Sequence, residues 1–63
     1  MEVQINYKNG DKICIGNVIS FYDRNVLNLG DTIDVVRSID DGKRETLSFT
    51  FENINAFHVI DYK

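Results

Sequence analysis

Tyr22, Arg24, Arg37, His58 and Tyr62 are the side chains of this sequence best suited to gripping a small anionic, aromatic ligand. Tyrosine faces can stack a base, arginine can fork onto a phosphate, and histidine can donate or accept a proton near neutral pH. Together they describe nucleotide-binding chemistry. The same aromatic residues have a second use, covering the interface of a dimer, where tyrosine is enriched. Spacing decides whether they can act together. If residues 26–39 form one straight strand, about 3.3 Å per residue puts Tyr22 and Arg24 roughly 40 Å from the far end, near Arg37. A shared pocket then requires a bend at Gly30 or a second subunit.

Catalytic chemistry has less to work with. Cys14 is the only cysteine and His58 the only histidine, so neither a disulfide nor a Cys/His zinc site can be assembled. Nothing around Cys14 in the sequence marks it as an activated nucleophile. Asp40-Asp41-Gly42 lacks the spacing of a calcium loop and is explained by turn chemistry. Asp31 and Asp34 fall on opposite faces of a regular strand, which rules them out as an acid–base couple there. No nucleophile–base pair emerges. The sequence reads as a non-enzyme with no cofactor and no metal.

The elements that must position these residues are strands. Val3, Ile5 and Tyr7 alternate with polar residues, and so do Leu27, Leu29, Ile33, Val35 and Ile39, the period of a half-buried strand. The stretch from Val26 to Ile39 is therefore expected to be one long central strand, bent at Gly30. Parity selects three-residue loops around it. Lys8-Asn9-Gly10 puts Ile5 opposite Ile13 and Val3 opposite Ile15. Asp23-Arg24-Asn25, with Asn25 left-handed, puts Phe21 opposite Leu27 and Ile19 opposite Leu29. Asp40-Asp41-Gly42 puts Val35 opposite Leu47, Ile33 opposite Phe49 and Arg37 opposite Glu45, an opposite-charge pair. Gly16 is expected to bend or bulge the second strand. Glu52 to Asn55 reads as one tight turn. Ala56 to Tyr62 forms the last strand, apolar on both faces and so expected at an interface.

Sixty-three residues make one domain, 1–63, whose core is marginal. With no disulfide or metal to staple it, oligomerisation is the expected remedy. The net charge of −3 argues against nucleic acid as the main partner, since such binders carry a basic patch. Met1-Glu2-Val3-Gln4 enters a strand pattern at once, and no stretch reaches membrane-spanning length. A cytoplasmic location with no membrane partner is the expectation.

Two resemblances bear on function. Gly16, Val18, Tyr22-Asp23 and Asp31 lie in a stretch similar to the first motif of Sm-like proteins, with one residue inserted before Tyr22, which leaves Asn28 one position late for the motif's RNA-stacking site. That resemblance implies a small SH3-like or Sm-like barrel and an RNA-binding module. In size and character, a short, acidic, all-β chain rich in residues with AT-rich codons also resembles phage anti-defence proteins. Those act by stoichiometric binding, either masking a host protein or holding a nucleotide immune signal inside a homo-oligomer. The expectation is an all-β, five-stranded antiparallel meander closed into a small barrel or a strongly curved sheet. Its expected function is sequestration of a nucleotide-like small molecule in a homo-oligomer. A protein-binding inhibitor or adaptor using an acidic surface or sheet edge is the alternative.

Overall fold

The computed structural model describes residues 1–28 and 30–61. Tyr62, a candidate ligand residue, and Leu29 lie outside the described residues. The chain is all-β: β1 (Glu2–Tyr7), β2 (Lys12–Ile15), β3 (Val18–Asp23), β4 (Thr32–Ser38), β5 (Arg44–Thr50) and β6 (Ile54–Ile60). One-turn 3₁₀ helices, Asp40–Gly42 and Phe51–Asn53, precede β5 and β6. Among the described residues no helix is long and apolar enough to cross a membrane.

The first hairpin follows from its loop. The Asn9 side chain accepts a hydrogen bond from the Asp11 amide at 2.9 Å, and the Gly10 amide reaches the Tyr7 carbonyl at 3.0 Å. Gly10 takes φ +96°, a conformation that a Cβ would strain. Three loop residues then set Val3 opposite Ile15 and Ile5 opposite Ile13, as parity requires. The β4–β5 hairpin also keeps its expected register, with Val35 opposite Leu47, Ile33 opposite Phe49 and Arg37 opposite Glu45. Asp41 and Gly42 both turn left-handed there.

The expected five-stranded meander is corrected to six strands in two antiparallel sheets, ordered β2-β1-β6 and β3-β4-β5. The second strand divides at Gly16-Asn17, and the residue that turns is Asn17, at φ +57°, rather than Gly16. The final strand returns to the first, with Phe57 opposite Ile5 and Val59 opposite Val3. Two backbone hydrogen bonds link Met1 and Val18, at 2.9 and 3.4 Å, where the sheets meet. No strand ladder among the described residues joins the two sheets into a closed barrel.

The long central strand is corrected as well. Only Thr32–Ser38 of that stretch is strand, and residues 24–28, 30 and 31 are loop. Asp23 holds that loop: its carboxylate accepts the Val26 amide at 3.0 Å and its carbonyl the Leu27 amide at 3.4 Å. Asn28, not Asn25, is left-handed, and Gly30 at φ +151° belongs to the loop rather than to a bend within a strand. Phe21 consequently pairs with Val35 instead of Leu27.

The sheets pack through Val3, Ile5, Ile15, Val18 and Val35, with Leu47, Phe49, Ile54 and Phe57 half-buried around them. Phe21 and Phe57 meet across the sheets with ring centroids 5.5 Å apart, tilted by 56°.

Gly16 and Gly10 should respond oppositely to alanine. A Cβ at Gly16 would meet nothing within 4 Å, and its φ is not positive. Gly16→Ala should therefore leave stability unchanged or raise it by up to about 1 kcal/mol, through a less flexible unfolded chain. Gly10→Ala should cost about 1–2 kcal/mol for its left-handed backbone. Urea midpoints at constant slope read both.

Candidate functional site

The outer face of β3 and β4 gathers the first two candidate residues. Tyr22 stands opposite Asp34 and is half exposed. Ser20 Oγ donates to the Tyr22 hydroxyl at 3.5 Å. Asp34 accepts a hydrogen bond from Thr32 Oγ1 at 3.1 Å, and Arg24 Nη1 lies 3.8 Å from its other oxygen. Arg24 is thus already committed to a carboxylate. At 43% side-chain exposure that ion pair contributes little to stability, about 0–1 kcal/mol.

Arg37 sits elsewhere. Along β4 it alternates with Val36 and so shares the face of Ile33 and Val35, opposite to that of Asp34. Its strand neighbours are Val18 on β3 and Glu45 on β5. Although the register sets Arg37 opposite Glu45, no ion pair among the described residues joins them. Glu45 is exposed, whereas Arg37 Nε is shut off from solvent with no hydrogen-bond partner. A buried donor left unpaired costs about 1–3 kcal/mol.

Beside Arg37 lies an open recess of about 600 Å³, lined by Asn17, Val18, Arg37, Ser38, Ile39 and Asp40. Backbone geometry builds it. Left-handed Asn17 swings the chain from β2 into β3, and its carbonyl accepts the Ser38 amide at 2.9 Å. The Asp40–Gly42 turn bounds the other side and is tied by the Ile39 amide to the Lys43 carbonyl at 2.9 Å. Arg37 and Asp40, a cation and an anion, thus both belong to the lining of a cavity large enough for a small ligand, within the usual range of about 300–1,000 Å³.

The five candidate residues do not share one site. Tyr22 and Arg24 meet around Asp34, and Arg37 lines the recess on the other face. His58 is exposed on β6 opposite Gln4, in the other sheet, alternating with the core-facing Phe57. Tyr62 is outside the described residues. Asn17 and Ser38 are not candidate site residues on the sequence alone, and Asp40 reads there only as part of a turn. The signal at Asn17 was present, as an asparagine at a strand interruption tolerates the left-handed region. Cys14 is exposed and unpaired, and among the described residues no three His, Cys, Asp or Glu side chains gather into a metal-holding group.

Fold and recess define an all-β domain of two packed antiparallel sheets with a polar, arginine-walled cavity where β3 begins and β4 ends. The sequence matches no protein-family model, and no curated protein or solved structure shows significant similarity to it.

Proposed function

We propose that this protein is a non-enzymatic binding protein that sequesters a nucleotide-like small molecule. The phage anti-defence role drawn from its size and character is the setting in which that binding makes sense. One observation carries the reading: the recess of about 600 Å³ whose wall holds Arg37 with a buried, unpartnered Nε. Such a wall is equipped to hold an anion. The abrupt passage from β2 into β3 at Gly16-Asn17 and the one-turn link before β6 support assignment to the SH3-like or Sm-like class of small barrels. The uncharged strand β6 and the exposed Val59 and Ile60 on it support assembly into a homo-oligomer, since an apolar sheet edge favours pairing with another chain.

A second reading, a protein-binding inhibitor, is favoured by a separate observation. Val26 and Leu27, 74% and 55% exposed, project from the loop between β3 and β4. Apolar side chains at a loop tip can anchor a protein partner.

Thermal melting against a panel of mononucleotides and cyclic di- and trinucleotides tests the first reading. Native mass spectrometry of the mixtures adds subunit number. A ligand at a hundred times its Kd should stabilise the fold by about 2.7 kcal/mol. In a chain this short that raises Tm by more than about 10 °C. The ligand should be released chemically unchanged on denaturation. A panel with no shift, together with a stoichiometric host protein lost in a Val26→Ser/Leu27→Ser variant, would favour the second reading instead.

A further inference from the structure

We propose that Arg37 is the anion anchor of the recess and that it selects a group of single negative charge, a phosphodiester or carboxylate, over a polyphosphate. The inference rests on the nucleotide-binding reading of this cavity and narrows its ligand class. Three observations carry it.

The first is that Arg37 is uncommitted where Arg24 is not. Arg24 lies 3.8 Å from Asp34, whereas the carboxylate facing Arg37 across the β4–β5 register, Glu45, makes no ion pair with it among the described residues. The second is the buried Nε with no partner. An anion entering from the recess can draw the guanidinium round so that Nε and one Nη donate in parallel to two oxygens. A two-oxygen group, phosphodiester or carboxylate, has that geometry. Binding then satisfies a donor that is unsatisfied in the free protein, so the interaction gained exceeds that of an arginine already bonded in the free state.

The third is charge. Asp40 lines the same recess, and the chain as a whole carries −3. One guanidinium can neutralise one negative charge. A triphosphate brings several more into a cavity containing a carboxylate, in a protein that already repels anions. Asn17 and Ser38 belong to the same lining, so their backbone amides are close enough to Arg37 to report an anion held there.

The test uses the whole chain, ¹⁵N-labelled, titrated separately with dimethyl phosphate, acetate, a 3′,5′-cyclic mononucleotide and ATP. Amide resonances of Asn17 and Ser38, with the Arg37 Nε–H resonance, report occupancy. The two simple anions separate phosphodiester from carboxylate recognition, and the cyclic nucleotide adds the base. The expected result is saturable shifts at these positions, with the cyclic mononucleotide binding at least 10-fold more tightly than ATP. Arg37→Met should weaken binding at least 10-fold while the protein melts at the same temperature or higher, and Arg37→Lys should recover part of it. Lys12→Met, the charge-matched control on β2, should change affinity less than 3-fold. Equal binding by wild type and Arg37→Met would overturn the anchor while leaving a nucleotide-binding function intact. ATP binding as tightly as the cyclic nucleotide would overturn the charge selectivity. Simple anions shifting Asn17 and Ser38 only when Arg37 is present, with no nucleotide bound tightly, would uphold the anchor and reject the nucleotide reading.

Discussion

Ile5→Ala should remove about half of the protein's stability at 25 °C. Ile5 is fully buried and is among the largest such side chains of the chain. It occupies the middle strand of its sheet, opposite Ile13 on β2 and Phe57 on β6, so three strands rest on it. Removing its outer carbons forfeits their transfer energy and leaves a cavity, together about 2–5 kcal/mol. At about 0.05–0.15 kcal/mol per residue, 63 residues hold only about 3–9 kcal/mol in all. The loss is therefore a large fraction of the whole stability, a consequence of a core that, among the described residues, holds six buried apolar side chains, three of them fully enclosed. Far-UV circular dichroism with a urea titration reads the outcome. A midpoint displaced by less than the equivalent of about 1 kcal/mol would show that the neighbouring strands collapse onto the gap and that Ile5 is not central.

How far the sequence disclosed this arrangement can be argued from two hairpins. Between β1 and β2, and between β4 and β5, the loop residues set the register themselves, because a glycine in the left-handed region fixes loop length and parity fixes the facing pairs. Between β3 and β4 the same parity argument points to the wrong partner. Pairing Phe21 with Leu27 and pairing it with Val35 differ by eight residues, an even number, so each places the same side chains on the core face. Alternation cannot distinguish them. What decides is local: the carboxylate of Asp23 captures the Val26 amide and begins a turn that a continuing strand would exclude. Asp23 at the start of a loop was legible as turn chemistry, but not how many residues the turn would take.

The recess was harder to read. Arg37 was recognised as a ligand-type residue and its register with Glu45 was right, yet the expected ion pair is missing among the described residues. Cross-strand register places Cα atoms and leaves two long side chains free to part. Asn17 and Ser38 come together only because β3 begins and β4 ends at the same corner, which is a property of the sheet rather than of any local pattern. Arg37 and the Tyr22–Arg24 pair lie on opposite faces of that sheet, so the five-residue ligand set could not be assembled from residue types alone.

The contact between the sheets at Phe21 and Phe57 supports the second large effect. Phe57→Ala should cost about 2–4 kcal/mol, somewhat below the figure for a fully enclosed phenylalanine because the residue is only half-buried. Its ring stands 5.5 Å from that of Phe21 at a 56° tilt, within the range in which aromatic edges meet faces favourably. Phe57 also faces Ile5 across the β1–β6 ladder, so its loss loosens the last strand and opens the core beneath it. Phe21→Ala should cost less, since Phe21 is 38% exposed at the free edge of β3. If the rings help to hold the two sheets together, the double variant should lose less than the sum of the single ones by about 0.5–1.5 kcal/mol. That coupling separates a specific contact between sheets from two independent losses of apolar area. Additivity within about 0.3 kcal/mol would mean that the sheets are held by Val3, Ile5, Ile15, Val18 and Val35 alone, with the aromatic pair merely covering them.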